Sequence, residues 1–198
     1  LVPLGNETAG WMKENYAAGQ SWVDLGTYAG KDGAKAFFAF PYKADVKSLV
    51  WYVPENFEDA GYEVPQTMEE LKALSDQIVA DGETPWCIGL GSGGATGWPA
   101  TDWVEDLMLR TQSPEVYDGT PVLGAGTVFA ITKDSDVARA FIEFLKTPIA
   151  HEIWMAQAGF LTPHKGVNPE AYANDALRKQ GEILTNATTF RFDGSDLM

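Results

Sequence analysis

The apolar positions between residues 37 and 82 predict two strands followed by a helix. An aromatic run over 37–41 ends at a proline, and a second run over 48–53 is rich in β-branched and aromatic side chains, which is typical of strands. Behind it, apolar residues recur at helical spacing along one face, at Met68, Leu71, Leu74 and Ile78. Thr67 and Glu70 form a capping-box pattern at the start of this helix, and Gly82 stands where a left-handed cap would end it.

The later part of the chain also alternates short apolar runs with helical patterns. Asp134 or Ser135 can cap one helix, Pro148 can begin the next at its first turn, and Asn168 can cap the last. The predicted core face of the first of these helices is Val137, Ala140, Phe141, Phe144 and Leu145. Three further elements are predicted from apolar runs: a short buried strand over 85–90, a helix over about 100–112 and a strand over 128–132.

Composition limits the classes of function. The chain has 198 residues, of which 45% are hydrophobic and 21% charged, which is typical of a globular protein. Its formal net charge is −14, whereas binding to nucleic acid needs Lys and Arg to displace counterions. The same charge disfavours an anionic membrane surface. No run approaches the roughly 20 apolar residues that span a bilayer.

Cysteine and histidine usage offers little chemistry. One cysteine, Cys87, permits no internal disulfide, and its neighbours Trp86 and Ile88 favour a buried small hydrophobe over a reactive thiol. His151 and His164 lie on different predicted elements without Cys or a further His at ligand spacing. We therefore predict no zinc site and no other metal or cofactor.

Two motifs suggest enzymes or nucleotide binding and are better explained otherwise. The glycine-rich stretch 91–99 lies between a predicted strand and a helix, but no Gly-Lys-Ser/Thr follows and no basic residue is near. Glu105 and Asp106 could be the two carboxylates of a glycosidase. Consecutive helical residues point about 100° apart, so a solvated helix face explains this pair better.

The order of these elements resembles bacterial ABC-importer extracellular solute-binding proteins of family 1, the sugar-binding type that includes maltose- and α-glucoside-binding members. In the first half the matching residues are Phe40, Pro41, Tyr42, Asp45, Leu49, Trp51, Tyr52, Ala60, Gly61, Tyr62, Pro65, Thr67, Glu69, Glu70 and Leu71. Further matches are Trp98, Pro99, Thr101, Asp102, Trp103, Gly124, Gly126, Ile131, Ala138, Phe141, Phe144, Leu145, Gly159 and Pro163. The family's usual Tyr-Asn is replaced here by Tyr52-Val53.

The resemblance implies an α/β fold, the two-lobed, type II, maltose-binding-like periplasmic binding protein with hinge crossings, represented by a partial chain. It assigns 1–40 and 121–163 to the N-terminal lobe, and 41–118 and 164–198 to the C-terminal lobe. Crossings between lobes are expected near 40–44, 119–125 and 161–167. The helices that normally separate Trp98-Pro99 from the Gly-rich strand have no counterpart, so a missing segment is predicted near 118–120.

The resemblance also suggests ligand-binding residues. A pyranose needs hydrogen-bonding groups at its rim and aromatic rings against its faces. Asp45 is the acidic candidate, Phe40 and Trp98 are the aromatic ones, and Gly124 and Gly126 could offer backbone N–H groups. Alternatives remain: the two aromatic residues could be core, Asp45 a surface or capping acid, and the glycines a requirement of the hinge turn.

The function implied is that of the sugar-binding component of an ABC importer. Such a protein closes over an α-glucoside or related oligosaccharide, performs no chemistry, has no catalytic residues and delivers its ligand to membrane permease subunits. It would be a monomer, periplasmic or extracellular as a membrane-anchored lipoprotein. The alternatives are an enzyme acting on glycosides and a receptor for a polyol or another small solute.

Overall fold

The computed structural model describes residues 1–111, 121–157 and 159–192, and the side chains of 121–123 and 191–192 lie outside the description. The helices are α1 (Asn6–Asn15), α2 (Gly19–Leu25), α3 (Pro54–Ala60), α4 (Met68–Ala80), α5 (Trp98–Thr111), α6 (Asp136–Leu145), α7 (Pro148–Met155) and α8 (Asp175–Thr185). The strands are β1 (Thr27–Ala29), β2 (Lys35–Phe37), β3 (Ala39–Val46), β4 (Pro121–Ala130) and β5 (Thr189–Phe192). None of the described helices is both long and apolar enough to cross a bilayer.

Internal contacts divide the chain into two compact units. Unit 1 contains residues 1–47 and 104–198, and unit 2 contains residues 48–103. α5 begins in unit 2 and ends in unit 1. The predicted division into lobe pieces stays a prediction, and the predicted missing segment near 118–120 falls outside the described residues.

Unit 1 is built on a mixed three-stranded sheet in the order β3-β4-β5. β3 runs antiparallel to β4, with Ala39 opposite Ala130 and Val46 opposite Gly124, and β4 runs parallel to β5. The β3–β4 register shifts between Pro41 and Lys43. A proline has no backbone N–H to give to the ladder, so an irregularity is expected at this point. A separate antiparallel hairpin joins β1 and β2.

The core of unit 1 is aromatic. The rings of Trp22 and Phe190 are in contact, with centroids 4.2 Å apart and planes tilted by 31°, and Tyr16 contacts Phe40 edge-on at 6.3 Å. Fully burying a large apolar side chain contributes about 1.5–3 kcal/mol. Other buried members of this core are Met12, Leu25, Phe37, Tyr42, Ile142, Leu145, Met155, Phe160, Leu161 and Leu184.

The predicted caps of α4 and α6 are confirmed, and the predicted cap of the last helix is wrong. In α4, Thr67 Oγ1 accepts from the backbone N–H of Glu70 at 3.1 Å, and the Glu70 carboxylate accepts from the backbone N–H of Thr67 at 3.1 Å. Ser135 caps α6 by accepting from the N–H of Ala138 at 3.2 Å. Asn168 caps a short 3₁₀ turn over Pro169–Ala171, and not the longer helix, which begins at Asp175.

Two predicted strands are wrong. Residues 48–53 and 85–90 have no regular structure, although both runs are apolar. A strand needs a neighbour to take its backbone hydrogen bonds, and neither run pairs with any strand among the described residues. For the same reason Cys87, predicted to be buried, is exposed.

The predicted core face of α6 is also wrong in part. Val137 is 80% exposed, and Phe141 and Phe144 are exposed as well, whereas Ile142 and Leu145 are buried. This helix has one wide apolar face opposite its three charged residues, and the sequence could not identify which part of that face packs inward.

Candidate functional site

The Asp45 side chain lies at the end of β3 that is paired with the glycine-rich part of β4. Its carboxylate is 44% exposed and forms an ion pair with Lys43, whose Nζ lies 2.8 Å from Oδ1 and 3.1 Å from Oδ2. Residues two apart in a strand point to the same face, which explains the pairing. The pair offers both an acceptor and a donor to a ligand hydroxyl. Sequence reasoning missed Lys43, although its i, i+2 relation to Asp45 was visible.

Gly124 stands beside this ion pair and is required by packing. A Cβ built on Gly124 would lie 2.1 Å from the backbone oxygen of Asp45 and 2.4 Å from the ring of Phe190. Any side chain there would push β3 away or displace the core aromatic ring. Gly126 lies opposite Ala44 and is partly exposed. The close approach of the strands therefore depends on at least one of the two predicted glycines.

Phe40 lies in the core, which is the alternative that the sequence left open for it. Its ring is 0% exposed, is stacked on Trp11 at 6.1 Å and also contacts Tyr16. A ring without exposed surface cannot touch a ligand in this arrangement, so its predicted ligand contact would require Trp11 or other neighbours to move.

Trp98 opens α5 and is 50% exposed. Half of its surface is thus available for stacking, as expected of a ring that packs against a sugar face. Trp98 belongs to unit 2, whereas Asp45, Phe40, Gly124 and Gly126 belong to unit 1.

Unit 1 also has a cavity that the sequence did not predict. It measures about 590 Å³, lies between α1 and the junction of α6 and α7, and is bordered by Glu7, Trp11, Glu14, Glu143 and Lys146. A partly exposed indole flanked by carboxylates has the same chemistry as the predicted sugar site. Glu7, Trp11 and Glu14 follow i, i+4, i+7 spacing on α1, a pattern that places them on one helix face. The cavity itself forms only where α6 and α7 approach that face, which this spacing does not encode.

The two histidines form a neutral structural pair in unit 1. His151 Nε2 lies 2.9 Å from the carbonyl oxygen of Leu145, and Nδ1 lies 2.8 Å from Thr162 Oγ1. Burial, with a smaller contribution from nearby His164, lowers the pKa of His151 to about 3. Burial also lowers the pKa of His164. Within residues 1–111, 121–157 and 159–192, no three His, Cys, Asp or Glu side chains converge on a metal position.

Comparison with known proteins relates this arrangement to solute receptors. The model of the bacterial extracellular solute-binding protein family matches residues 5–126. The α-glucosides-binding periplasmic protein AglE of Rhizobium meliloti is 53% identical over 292 residues, which cover all of this chain and 64% of that protein. The osmoprotective compounds-binding protein GgtB of Synechocystis sp. is 32% identical over 290 residues, which cover all of this chain and 67% of that protein.

A solved structure shows the same fold. The bacterial solute receptor AcbH, described as having an exclusive preference for β-D-galactopyranose, matches with a TM-score of 0.61 over 98% of this chain and 69% of its own, at 14% sequence identity. The predicted fold class, an α/β periplasmic binding protein represented by a partial chain, is confirmed. The chain spans 64% of the length of its α-glucoside-binding relative. It belongs to the bacterial extracellular solute-binding protein family.

Proposed function

We propose that the protein represented by this chain is the substrate-binding component of an ABC sugar importer and that its ligand is an α-glucoside or a related oligosaccharide. The observation that carries the proposal is the 53% identity to a protein named for binding α-glucosides. In this proposal two lobes close over the sugar, which is passed unchanged to membrane permease subunits. The protein acts as a monomer in the periplasm, or outside the cell as an anchored lipoprotein, and catalyses no reaction.

The proposed ligand contacts follow the chemistry of a sugar. Asp45 accepts hydrogen bonds from ring hydroxyls, and Lys43 donates one, because their ion pair is partly open to solvent. Trp98 stacks on a pyranose face. Gly124 and Gly126 are the proposed backbone contacts, with Gly126 the more open of the two, since the side-chain space at Gly124 is filled by the Asp45 carbonyl and the Phe190 ring. Phe40 stacks on Trp11 in the core and contacts sugar only if the core rearranges.

Titration with a sugar panel tests the proposal. The protein extended to the length of its relatives is mixed with maltose, trehalose and sucrose, tryptophan fluorescence is followed, and the sugar is recovered and analysed. A saturable change with intact sugar supports a receptor. Release of free glucose would instead support the glycoside-acting enzyme. Asp106, one of the two carboxylates considered for a glycosidase, forms an ion pair with Arg110, whose Nε lies 2.7 Å from its Oδ2. This contact is typical of an ion pair on a helix surface.

The substitution Asp45→Ala tests whether the Asp45 carboxylate binds the sugar. We expect a loss of about 1.5–3 kcal/mol of binding free energy, the usual contribution of a hydrogen bond to a charged group. Asp134→Ala is the matched control, because Asp134 is likewise a partly exposed aspartate in an ion pair, with Arg139 at 2.7 Å. Equal affinities of the two variants would remove Asp45 from the site.

A receptor for a polyol or another small osmolyte is the second candidate, favoured by the relative named for binding osmoprotective compounds. Adding sorbitol to the same panel distinguishes the two. Saturable binding of sorbitol, together with no response to the three disaccharides, would favour this alternative.

A further inference from the structure

A second cavity of unit 1 lies between α8 and the segment 164–172. It measures about 250 Å³, which is several times the volume of one water molecule in the liquid, so a small organic molecule fits inside. One wall is a single face of α8, on which Arg178, Gly181, Glu182 and Thr185 follow i, i+3, i+4, i+7 spacing. The residues that line this cavity are separate from the proposed sugar contacts.

Two buried hydrogen-bond donors of this cavity have no acceptor. The hydroxyl of Tyr172 and Nε of Arg178 lack a hydrogen-bond partner among the residues that the structure describes. Tyr172 is 6% exposed, and burial raises the pKa of its hydroxyl, which therefore keeps its proton at neutral pH. The backbone N–H of Thr162 lies near the phenol oxygen, but it is itself a donor and leaves the hydroxyl proton without an acceptor. Both donors therefore favour a ligand with acceptor oxygens, since a buried unpaired donor costs free energy.

A glycine of α8 allows the Tyr172 hydroxyl to reach this helix. A Cβ built on Gly181 would lie 2.6 Å from the hydroxyl oxygen and 2.5 Å from the ring. A side chain at this position would therefore push the phenol away from α8. Because Arg178 lies one turn earlier on the same helix, Gly181 brings the two unpartnered donors to the same side of the cavity.

The charged groups around the cavity are only partly paired. Arg178 forms ion pairs through Nη1 with Asp175 at 3.0 Å and through Nη2 with Glu170 at 3.5 Å, and these contacts leave its Nε unused. Lys165 and Glu182 also line the cavity, and neither forms an ion pair with another side chain in the described part of the chain. Glu182 is thus a carboxylate without a cation, although it stands at i+4 from Arg178, a spacing at which opposite charges usually pair.

His164 adds neither a charge nor an unused donor to the cavity. Its Nδ1 accepts from the backbone N–H of Gly166 at 2.9 Å, so the ring proton is on Nε2 and is donated to the carbonyl oxygen of Lys146 at 3.1 Å. Burial also lowers the pKa of His164, which keeps the ring neutral at neutral pH. The imidazole is therefore a wall of the cavity, because both of its nitrogens are already occupied.

We propose that this cavity binds a small zwitterion of the amino-acid type, with its carboxylate on Tyr172 and Arg178 and its ammonium group directed to Glu182. A carboxylate accepts from both unpartnered donors, and hydrogen bonds to an ionised group are stronger than those between neutral groups. The ammonium group supplies the cation that Glu182 lacks. A purely anionic ligand is less suitable, because the surroundings already hold three carboxylates and only two cations, Arg178 and Lys165.

Nuclear magnetic resonance of the arginine Nε–H groups tests this proposal on the unaltered chain. With glycine at constant ionic strength, we expect a saturable shift of the Arg178 signal. Arg139 is the internal control, because its Nε already donates to Asp134 at 2.7 Å and its signal should not move. Sodium acetate, which lacks the ammonium group, should bind at least about threefold more weakly than glycine, in keeping with an exposed ion pair. Methylammonium chloride should leave the Arg178 signal unchanged.

Tyr172→Phe removes one donor and keeps the ring, so it should weaken glycine binding at least about tenfold, as expected for a hydrogen bond to a charged group. Tyr28→Phe is the matched control, because Tyr28 is a half-exposed tyrosine of unit 1 outside the cavity. Glu182→Gln should abolish the preference for glycine over acetate.

A cavity that holds water only would give no saturable shift of the Arg178 signal, and this result would overturn the proposal. Equal affinities for glycine and acetate, an equal shift of the Arg139 signal, or unchanged glycine binding by Tyr172→Phe would overturn it as well. The titration of the unaltered chain stays decisive if a variant fails to fold. No sugar is present in this assay, so its outcome is independent of the proposed sugar binding.

Discussion

Units 1 and 2 show what local sequence can and cannot specify. Unit 1 pairs β3, β4 and β5 and closes an aromatic core around Trp22. Unit 2 has helices with correct caps, no strand and one buried residue. Helix ends are determined by residues three or four positions apart, whereas strands and cores depend on residues distant in sequence. The difference indicates that unit 2 contains the short-range sequence patterns that cap its helices but lacks the residues, distant in sequence, that would pair strands and close a core.

Unit 1 also has exposed apolar side chains. On α6 and α7, Phe141, Ile149, Ile153 and Trp154 remain exposed beside the buried Ile142. The contrast between the units therefore lies in the presence of a core and a paired sheet, and not in the amount of apolar surface alone. Predictions that compare matched residues of the two units test this contrast.

The largest expected effect is from removal of a core tryptophan. Trp22→Ala should lower the free energy of unfolding by about 3–5 kcal/mol, because the ring is 0% exposed, contacts the ring of Phe190 and donates from Nε1 to the carbonyl oxygen of Ala17 at 3.0 Å. Trp51→Ala in unit 2 should change it by less than about 0.5 kcal/mol. Urea denaturation followed by circular dichroism measures both. Similar losses would refute the contrast.

A methyl group at a glycine gives the next largest difference. Gly124→Ala should destabilise unit 1 by about 1–3 kcal/mol, because the new Cβ would collide with β3 and Phe190. Gly91→Ala, where nothing lies within 4 Å, should be neutral or slightly stabilising through the unfolded chain. The midpoints of urea unfolding distinguish these outcomes. A neutral Gly124→Ala would show that the strands can separate without penalty.

Acid should destabilise unit 1 through its buried histidines. The pKa of His151 is about 3 in the folded protein against an ordinary 6.5, so between these values the unfolded chain binds the additional proton. Stability is therefore complete above about pH 6.5 and falls with decreasing pH, by up to about 1.4 kcal/mol per pH unit for this group.

Thermal melts from pH 7 to pH 4 measure this effect, with His151→Asn as the comparison. The variant should be less stable at pH 7 but should lose less stability on acidification, because Asn does not titrate. Parallel pH profiles for the two proteins would show that His151 does not contribute to the acid sensitivity.

The smallest predicted change in stability comes from removing helix caps, and one cap in each unit is compared. Ser135→Ala removes the cap of α6 and should lower the unfolding free energy of unit 1 by about 1 kcal/mol. Thr67→Ala removes one half of the capping box of α4 and should leave that cooperative transition unchanged while reducing helical content. A loss of cooperative stability from Thr67→Ala equal to that from Ser135→Ala would mean that α4 belongs to the core.

The contrast between short-range and long-range interactions also explains which sequence predictions are confirmed. The capping box of α4, the Ser135 cap and the first-turn position of Pro148 are local, and all three are confirmed. The fold class was recognisable from the order of motifs. The exposed state of Cys87 and the absence of strands over 48–53 and 85–90 could not be predicted, because both depend on polypeptide outside these runs.

The candidate site was predictable to a similar degree. Asp45 and Gly124 were identified through resemblance, and their adjacency across β3 and β4 became visible only with the strand register. Phe40 has the sequence character of either a core or a ligand-facing ring, and packing against Trp11 decides for the core in this structure. The cavity beside Trp11 depends on the approach of α1 to α6 and α7, which no local pattern encodes.

Residue-resolved amide hydrogen exchange of this chain compares the two units directly. The ladder amides of β3 should exchange on the order of a thousandfold or more slower than an unstructured peptide, because they open only with the whole core. The amides of α4 should exchange within about tenfold of the unstructured rate, since isolated helices of this length are marginal in water. Protection of α4 equal to that of β3 would contradict the claim that unit 2 lacks the residues, distant in sequence, that would pair strands and close a core.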